Sequence, residues 1–323
     1  MLRHVLRFAS PAGLDARLSV LVLHRVLASP DALFPEAIDA ARFDQMCGWL
    51  KSLFNVLPLD EAVRRLRAGS LPERALAISF DDGYADNYSQ ALPILVRHGL
   101  PATFFITTGF IGGGRMWNDT VIEAVRRTAL SALDLRDLMG GEPSVYALDG
   151  SANRRAAIEA IIGQAKYLAI EERERVANEI AERADATLPT DLMMTARQVV
   201  DMRRAGMQIG AHTVSHPILA KLDERAARRE IQDSKRYLED VLGERVGLFA
   251  YPNGKPGEDY TPGIVALARE TGFDAAVSTA WGAAHRATDP FELPRFTPWD
   301  RSRLRFGARM ANNLWVSRSR PAP

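Results

Sequence analysis

The chain has 323 residues, which is long for an average domain but within the range of a single α/β barrel with a large core. Its apolar fraction of 47% and charged fraction of 25% are typical of a soluble globular protein. With 41 Lys and Arg residues against 40 Asp and Glu, the net charge is +1. This balance gives no electrostatic reason to propose a nucleic acid or an anionic membrane as partner.

The cysteine content and the apolar runs bear on the compartment. The single cysteine, Cys47, excludes an intrachain disulfide, and we expect it to be a buried, inert thiol within a helix. No apolar run approaches the ~18 residues of a membrane span. The run LSVLVL near the N-terminus is too short and too late for a signal peptide. These features favour a cytoplasmic location.

Short apolar runs alternate with amphipathic helical stretches along most of the chain, which indicates β-α units. In chain order, the predicted strands are LSVLVLH, ALAISF, PATFFITTGFI, MQIGAH, VGLFAYP and DAAVST. The predicted helices between them are ARFDQMCGWLKSLF, DEAVRRLRAG, NYSQALPILVRHG, ARQVVDMRRAG, ERAARREIQDSKRYLEDVLG and GIVALARETG. Gly69 and Gly99 are predicted to end two of these helices. Parallel strands joined by helices form a sheet covered on both faces or a closed barrel.

One region interrupts this alternation. Residues from about 119 to 192 are mostly amphipathic helix, with the segments VIEAVRRTAL, RRAAIEAIIGQAKYL and EERERVANEIAERADA. We expect a helical insertion over approximately 119–192 within a single domain that covers 1–323. Trp117, at the start of this region, is either a platform for stacking a sugar ring or a core residue that anchors the insertion, and Trp281 and Trp299 raise the same question.

Polar groups follow four of the predicted strands. His24 follows LSVLVL, Asp81 and Asp82 follow ALAISF, His212 follows MQIGA, and the run PNG ends the strand LFAYP. In β-α folds the active site gathers at the carboxyl ends of the strands. We therefore expect these groups to meet in one site.

The two histidines of HTVSH suggest a metal. His212 and His216 are four positions apart, which on a helical turn places both imidazoles on one face. With a nearby carboxylate they complete a set of two histidines and one carboxylate, which leaves coordination positions free and suits a catalytic metal. One of the adjacent aspartates then binds the metal, and the other takes a proton from water as general base. Surface histidines and an ordinary DDG turn are the alternative interpretations.

The motifs SFDDGY and HTVSH, together with TFF after LPA, resemble those of the polysaccharide deacetylases. This carbohydrate esterase family shares the chitooligosaccharide deacetylase homology domain. The resemblance covers roughly residues 18 to 110 and 195 to 300. It implies a distorted (β/α) barrel with about seven parallel strands. It also implies removal of N-acetyl groups from amino sugars with zinc or another divalent metal such as Co²⁺ or Ni²⁺.

The resemblance also assigns residues and partners. Asp81 resembles the family's catalytic base, and the metal ligands are Asp82, His212 and His216. The implied substrate is an amino-sugar polymer or oligomer, and the implied context is exopolysaccharide modification with other exopolysaccharide-synthesis proteins as partners.

The family's third motif is altered in this chain. It is commonly Arg-x-Pro-Tyr-Gly and aligns with AYPNG, so that Ala250 replaces the arginine and Asn253 replaces the tyrosine. In the family, the arginine orients the base and the backbone N–H after the proline helps to hold the oxyanion. That N–H is retained at Asn253. We predict that Arg295, in ELPRFTPWD, supplies the missing charge from another strand.

The family's last motif normally provides a histidine that protonates the departing amine, and two residues are candidates here. Some family members are permuted, and LVLHRV partly fits the permuted arrangement, which makes His24 the predicted general acid. A histidine that caps a strand is the alternative interpretation of His24. His285, in WGAAHRATDP, lies in a segment typical of a surface loop and is the second candidate.

Two other classes of protein fit parts of the pattern. A carbohydrate-binding or assembly protein with a degenerate site would explain the altered third motif, and the absence of a bound divalent ion would favour it. An iron oxygenase also uses two histidines and one carboxylate. The second aspartate beside the ligand is better explained by hydrolysis.

Overall fold

The computed structural model of the chain describes residues 1–139, 144–297 and 299–319, with backbone alone for the last three. The chain divides into two compact units. The second unit comprises Pro30–Ala37 and Gly112–Met193, and the first comprises the rest of the chain. The predicted insertion at about 119–192 lies within the second unit. That the chain acts as a single domain stays a prediction.

Ten strands lie in the described part of the chain. They are β1 Leu18–Leu23, β2 Asn55–Val56, β3 Ala75–Phe80, β4 Thr103–Ile106, β5 Ala132–Asp134, β6 Val145–Ala147, β7 Gln208–Ala211, β8 Leu248–Ala250, β9 Ala275–Trp281 and β10 Leu293–Arg295. Seven of them follow one another around the sheet in the order β1-β3-β4-β7-β8-β9-β10, and β2 pairs with β3. Every pairing in this sheet is parallel.

The sheet closes into a ring where its first and last strands meet. Val22 N–H donates to Phe296 O at 3.0 Å, and Phe296 N–H donates to Val20 O at 2.8 Å. These bonds form a parallel bridge immediately after β10. The predicted distorted (β/α) barrel with about seven parallel strands is confirmed.

The alternation of side chains along β3 separates the inside of the ring from the outside. Ala75 and Ala77 belong to a cluster shared with residues of β1, β8, β9 and β10, which fills the ring. Leu76, Ile78 and Phe80 belong to the cluster packed against the surrounding helices. Because side chains on a strand alternate between the two faces, Ser79 and the residue after the strand, Asp81, continue the inward series.

Eleven α-helices lie in the described part of the chain. They are α1 Leu2–Ala9, α2 Ala40–Leu53, α3 Leu59–Ala68, α4 Leu92–His98, α5 Trp117–Arg127, α6 Gly150–Ala165, α7 Ile170–Arg183, α8 Ala196–Arg204, α9 Glu224–Leu242, α10 Pro262–Glu270 and α11 Arg303–Ser319. Gly69 and Gly99 end α3 and α4 with φ of 65° and 66°, as the sequence predicts, because glycine enters the left-handed region without steric penalty. None of the described helices is both long and apolar enough to cross a lipid bilayer.

Several elements depart from the sequence prediction. The predicted helix from Asn87 begins with a π-helical turn, Asn87–Ala91, before α4. The predicted strand PATFFITTGFI is ordered as a strand only over β4, and a 3₁₀ turn, Thr108–Phe110, follows. The elements α1, β10, α11 and the antiparallel hairpin β5–β6 were not predicted. The strands β5, β6 and β10 have three residues each, too few to show a period of two.

Two residues singled out in the sequence are core residues. Trp117 is 8% exposed within the core of the second unit, and the Arg173 guanidinium lies 4.8 Å from its ring centre. Its role as a core anchor is therefore the one that the structure supports. Cys47 is fully buried on α2, and burial raises the pKa of its thiol to about 12, which makes it inert.

Candidate active site at the carboxyl ends of the strands

The two adjacent aspartates stand where β3 leaves the sheet. Asp81 N–H still donates to Leu23 O at 2.9 Å, so its side chain keeps the inward direction of the strand. The chain then turns sharply, with φ of 76° at Asp82 and 90° at Gly83. A Cβ at Gly83 would lie 3.2 Å from Ile106 Cγ2, which favours glycine there. The turn points the two carboxylates at different partners.

Asp81 is bound by Arg295 in a two-pronged ion pair. Nη1 donates to Oδ1 and Nη2 donates to Oδ2, both at 2.7 Å. The Arg295 side chain is 0% exposed and also donates from Nε to Ser278 O at 2.8 Å, which fixes its plane. Each carboxylate oxygen retains a second lone pair beside this fork. The predicted arginine therefore contacts the predicted base, from β10 and not from the position of Ala250 on β8.

Asp82 forms a compact group with the two histidines of HTVSH. Asp82 Oδ1 lies 3.5 Å from His212 Nε2 and 3.5 Å from His216 Nε2. One ligand atom from each residue lies within 4.8 Å of the others. This places the three predicted metal ligands together in space.

The donor atoms fit a divalent metal. At 3.5 Å the contacts to Asp82 Oδ1 are longer than good N–H···O hydrogen bonds. This buried oxygen has no hydrogen-bond partner among the described residues. In a tetrahedral zinc site with bonds of about 2.1 Å, ligand atoms lie roughly 3.4 Å apart. A metal coordinated by these atoms would therefore satisfy an oxygen that is otherwise buried without a partner.

The loop after β7 holds both histidines, but not as a helical turn. Thr213 and His216 have φ of 64° and 54°, so the expected helical geometry of HTVSH is wrong and a turn brings the imidazoles together instead. His212 Nδ1 lies 2.7 Å from Ala250 O, a contact that makes Nδ1 the protonated nitrogen and leaves Nε2 available as a ligand atom.

Glu230, on α9, fastens the same loop. Its Oε2 accepts from Val214 N–H at 2.8 Å and Ser215 N–H at 2.9 Å, and its Oε1 accepts from Ser215 Oγ at 2.7 Å. The residues that make these three bonds lie between the two predicted ligand histidines in the chain. Glu230 therefore supports the strained backbone that positions them.

The electrostatics of the group depend on burial and on its mixed charges. Burial disfavours ionisation of Asp81, but the charge of Arg295 outweighs it and holds the pKa of the carboxyl below its usual value. Asp82 is likewise buried, yet the neighbouring histidines keep its pKa well below the ordinary value. Burial lowers the pKa of His216 to about 4, which keeps its imidazole neutral and able to bind a metal. Both aspartates are thus carboxylates at neutral pH.

His24 lies at the same end of the barrel, directly after β1. Its side chain is exposed, and it is among the neighbouring groups that lower the pKa values of Asp81 and Asp82. A residue of the SFDDGYADN segment binds the His24 backbone, since Asn87 Nδ2 donates to His24 O at 2.8 Å. Asp86 accepts from Val26 N–H at 3.1 Å and from Arg25 Nε at 2.7 Å.

His285 lies at the other end of the barrel. Its neighbour Ala284 exchanges backbone hydrogen bonds with Leu18, the first residue of β1, at 2.8 and 2.9 Å. His24 follows the opposite end of the same strand. The geometry therefore places His24, and not His285, on the side of the aspartates.

Asn253 sits in the turn after β8 with φ of 57°. Its carbonyl accepts from Thr279 Oγ1 at 2.8 Å, which anchors the turn to β9. Within the described part of the chain, no hydrogen bond uses the Asn253 N–H. Such a donor at a strand end is suited to an oxyanion, and that role stays a prediction.

Two exposed tryptophans lie at the carboxyl ends of the last two barrel strands. Trp281 ends β9 and is paired in register with Arg295, and Trp299 follows β10. They are 54% and 44% exposed, and their ring centres are 5.7 Å apart at an angle of 86°. Sugar stacking by these rings stays a prediction.

Three supporting residues were missed by the sequence analysis, namely Asp86, Asn87 and Glu230. The first two belong to the run DDGYADN and so lie close in sequence to the aspartates. Glu230 carries no local signal, since REIQD on an amphipathic helix is typical of a solvated face. Only the folded chain shows that it reaches the loop of His212 and His216.

Comparisons with known proteins agree with this geometry. The family model for polysaccharide deacetylase matches residues 68–276, more than half of the chain. YxkH of Bacillus subtilis (strain 168) is 22% identical over 282 residues, which are 87% of this chain and 71% of that protein. A Staphylococcus aureus (strain MSSA476) poly-β-1,6-N-acetyl-D-glucosamine N-deacetylase is 36% identical over 77 residues, only 24% of this chain and 27% of that protein.

Solved structures share the fold. The Streptococcus pyogenes deacetylase PplD has a TM-score of 0.58 at 20% identity, over 87% of this chain and 92% of that one. IcaB from Ammonifex degensii has a TM-score of 0.57 at 20% identity, over 95% of this chain and 98% of that one. The family match spans Asp81, Asp82, His212 and His216. On that match, the chain belongs to the polysaccharide deacetylase family.

Proposed function

We propose that this chain is a metal-dependent hydrolase that removes N-acetyl groups from amino-sugar residues of a polysaccharide or oligosaccharide. One observation carries the proposal: a carboxylate held by Arg295 stands beside the Asp82, His212 and His216 group. The Staphylococcus aureus relative, named as a poly-β-1,6-N-acetyl-D-glucosamine N-deacetylase, supports an amino-sugar polymer as substrate. Zinc, cobalt and nickel all suit the proposed ligand set, with zinc the first expectation.

The proposed roles follow from the positions of the side chains. Asp82, His212 and His216 would hold the metal, which when bound lowers the pKa of a water molecule and polarises the acyl oxygen. Asp81 takes the proton from the attacking water as general base. Arg295 keeps this carboxylate ionised and fixes its direction by the fork.

The leaving group and the oxyanion need two further groups. Asn253 N–H donates to the oxyanion of the tetrahedral intermediate, since it stands free in a turn at the rim. His24 gives a proton to the departing amine, which would otherwise leave as an unstable amide anion. Asn87 and Asp86 hold the His24 segment for this task.

The competing interpretation, a degenerate carbohydrate-binding or assembly protein, depended on the loss of the arginine at Ala250. Arg295 supplies a guanidinium to Asp81 from β10, so the altered third motif no longer argues against catalysis. The iron-oxygenase alternative has no use for this ion pair. Partnership with exopolysaccharide-synthesis proteins stays a prediction.

Acetate release tests the proposal. Wild type and Asp81→Asn are assayed on a panel of N-acetylated oligosaccharides, each with and without chelator, and bound metal is measured in parallel. We expect acetate only from the metal-loaded wild type, while Asp81→Asn retains the metal. Absence of bound divalent metal together with tight oligosaccharide binding would instead support the degenerate binding protein.

A further inference from the structure

The first and last helices lie side by side on the barrel unit. A Cβ at Gly307 would lie 2.9 Å from Leu2 Cδ1, so the start of α1 packs on the early part of α11 at a position where glycine leaves room. The rings of Phe8 and Trp315 are 5.8 Å apart, so the end of α1 meets the later part of α11. The two helices therefore run in the same direction.

The outer faces of these helices form an apolar strip. Met1 directly precedes α1, and positions 1, 5 and 8 lie on one face of that helix. Positions 304, 308 and 315 lie on one face of α11. The exposed fractions are 41% for Val5, 66% for Phe8, 62% for Leu304 and 50% for Trp315. We call the set Met1, Val5, Phe8, Leu304 and Trp315 the terminal-helix strip. Large aliphatic and aromatic side chains clustered on a surface in this way mark an interaction site.

The charge around the strip is positive, in contrast to the balanced charge of the whole chain. Neither α1 nor α11 contains an aspartate or a glutamate. The arginines on these helices within the described side chains are Arg3, Arg7, Arg303, Arg305 and Arg309. Two acidic residues from neighbouring segments face them, since Glu73 pairs with Arg7 and Asp300 pairs with Arg309, each at 2.7 Å. The local excess of arginine remains.

We propose that the terminal-helix strip docks the protein on an anionic lipid surface. Aromatic and aliphatic side chains flanked by arginines are the chemistry of helices that lie in the membrane interface. The apolar groups enter the boundary of the acyl chains while the arginines bind lipid phosphates. A second copy is a poorer occupant, because pairing two such faces would bring arginines against arginines. The proposal does not depend on the deacetylase activity.

Vesicle sedimentation of the full chain tests this docking. Vesicles of phosphatidylcholine alone are compared with vesicles that also contain phosphatidylglycerol, at low and at high salt. We expect the wild type to bind the anionic vesicles at least about tenfold better than the neutral ones, and salt to weaken binding. Phe8→Ser/Trp315→Ser should weaken binding by roughly tenfold or more. The matched control is Leu14→Ser, an exposed apolar residue outside the strip at 65% exposure.

A second variant separates docking from folding. Arg3→Gln/Arg305→Gln changes only exposed side chains and should weaken binding to anionic vesicles by about fivefold per arginine at low salt. All variants should keep the wild-type unfolding midpoint and the wild-type activity on soluble substrate. The proposal is wrong if the wild type binds anionic vesicles no better than neutral ones. It is also wrong if the strip variants bind them as the wild type does, or if the wild type is a dimer that Phe8→Ser/Trp315→Ser makes monomeric.

Discussion

Asp81 and Asp82 are neighbours in the chain with separate partners, and the backbone between them is the reason. Asp81 keeps the direction of β3 and meets Arg295, whereas the left-handed φ of 76° at Asp82 turns its side chain toward the histidines. Four of the six non-glycine residues with positive φ in the described chain are Asp82, Thr213, His216 and Asn253. Each such residue costs on the order of 1 kcal/mol or more. Backbone strain is thus concentrated in the proposed site.

Removing Arg295 should affect both stability and turnover. Arg295→Ala leaves Asp81 buried without its counter-charge, and breaking such a pair costs about 3–5 kcal/mol. We expect kcat/KM for acetate release to fall by at least about 100-fold, since the base loses its orientation. Arg295→Lys keeps a positive charge but cannot form the two-pronged ion pair, so its kcat/KM should lie between those of wild type and Arg295→Ala. An Arg295→Ala enzyme with bound metal and unchanged turnover would show that the ion pair is structural only.

The proposed general acid has a matched control at the opposite end of its strand. His24→Ala should lower kcat on N-acetylated sugars by roughly 10²–10⁴-fold with metal content unchanged, and His285→Ala should leave it unchanged. Asn87→Ala should have an intermediate effect, because it frees the His24 carbonyl. An aryl acetate ester, whose leaving group needs no proton, should be hydrolysed nearly as well by His24→Ala as by wild type. Equal losses on both substrates would contradict the role.

At the scale of elements, the loop after β7 is fastened by a helix that contributes none of the proposed metal ligands. Glu230 from α9 accepts three hydrogen bonds from Val214 and Ser215, between the two ligand histidines. The loop is strained at Thr213 and His216 and would relax without this support. The spacing of HTVSH therefore pointed to two histidines that do lie together, although the helical geometry inferred from it was wrong.

Glu230→Gln should weaken metal binding by about 10- to 100-fold, the usual effect of losing a group that supports a ligand. The matched control is Asp233→Asn on the same helix, which carries an exposed pair with Arg236 at 2.7 Å. Equilibrium dialysis of Zn²⁺ into the stripped proteins measures both. If the two variants bind zinc equally well, the hydrogen bonds between Glu230 and the loop have no role in metal binding.

At the scale of the whole molecule, ring closure connects the ends of the chain at the proposed site. His24 directly follows β1 and Arg295 ends β10, and the bridge between Leu21 and Phe296 joins the edges of the ring. Both residues lie outside the 68–276 match to the family model. The residues proposed as general acid and as partner of the base therefore lie at the strands that close the barrel.

Metal binding should be visible as stability of the entire barrel. A ligand present at 100 times its Kd stabilises the folded state by about 2.7 kcal/mol. We expect chelator to lower the unfolding midpoint of wild type and excess Zn²⁺ to restore it. Asp81→Asn should respond to zinc as wild type does, whereas His212→Ala should not respond. A zinc response that survives in His212→Ala would place the metal elsewhere.

The sequence by itself determined the barrel class and the residues that meet in the proposed site. Short apolar runs between helical stretches indicated the strands, and the rule that polar groups at strand ends share an edge connected Asp81, Asp82, His212 and His216. The family resemblance rested on the same short motifs. These features are local in the chain, so a linear pattern is enough to find them.

Only the tertiary structure decided which distant residues assist. Arg295 lies 214 positions from Asp81. The sequence predicted Arg295 from the arginine that is missing at Ala250, but only the folded chain shows its contact with Asp81. The sequence favoured His24 over His285 as general acid, and the register of β1 places the two histidines at opposite ends of the barrel. The expected helical turn in HTVSH failed because two left-handed residues, Thr213 and His216, replaced it. Glu230 binds the two residues between them. Such contacts depend on strand register and ring closure, which are set by packing of the whole chain and not by any segment.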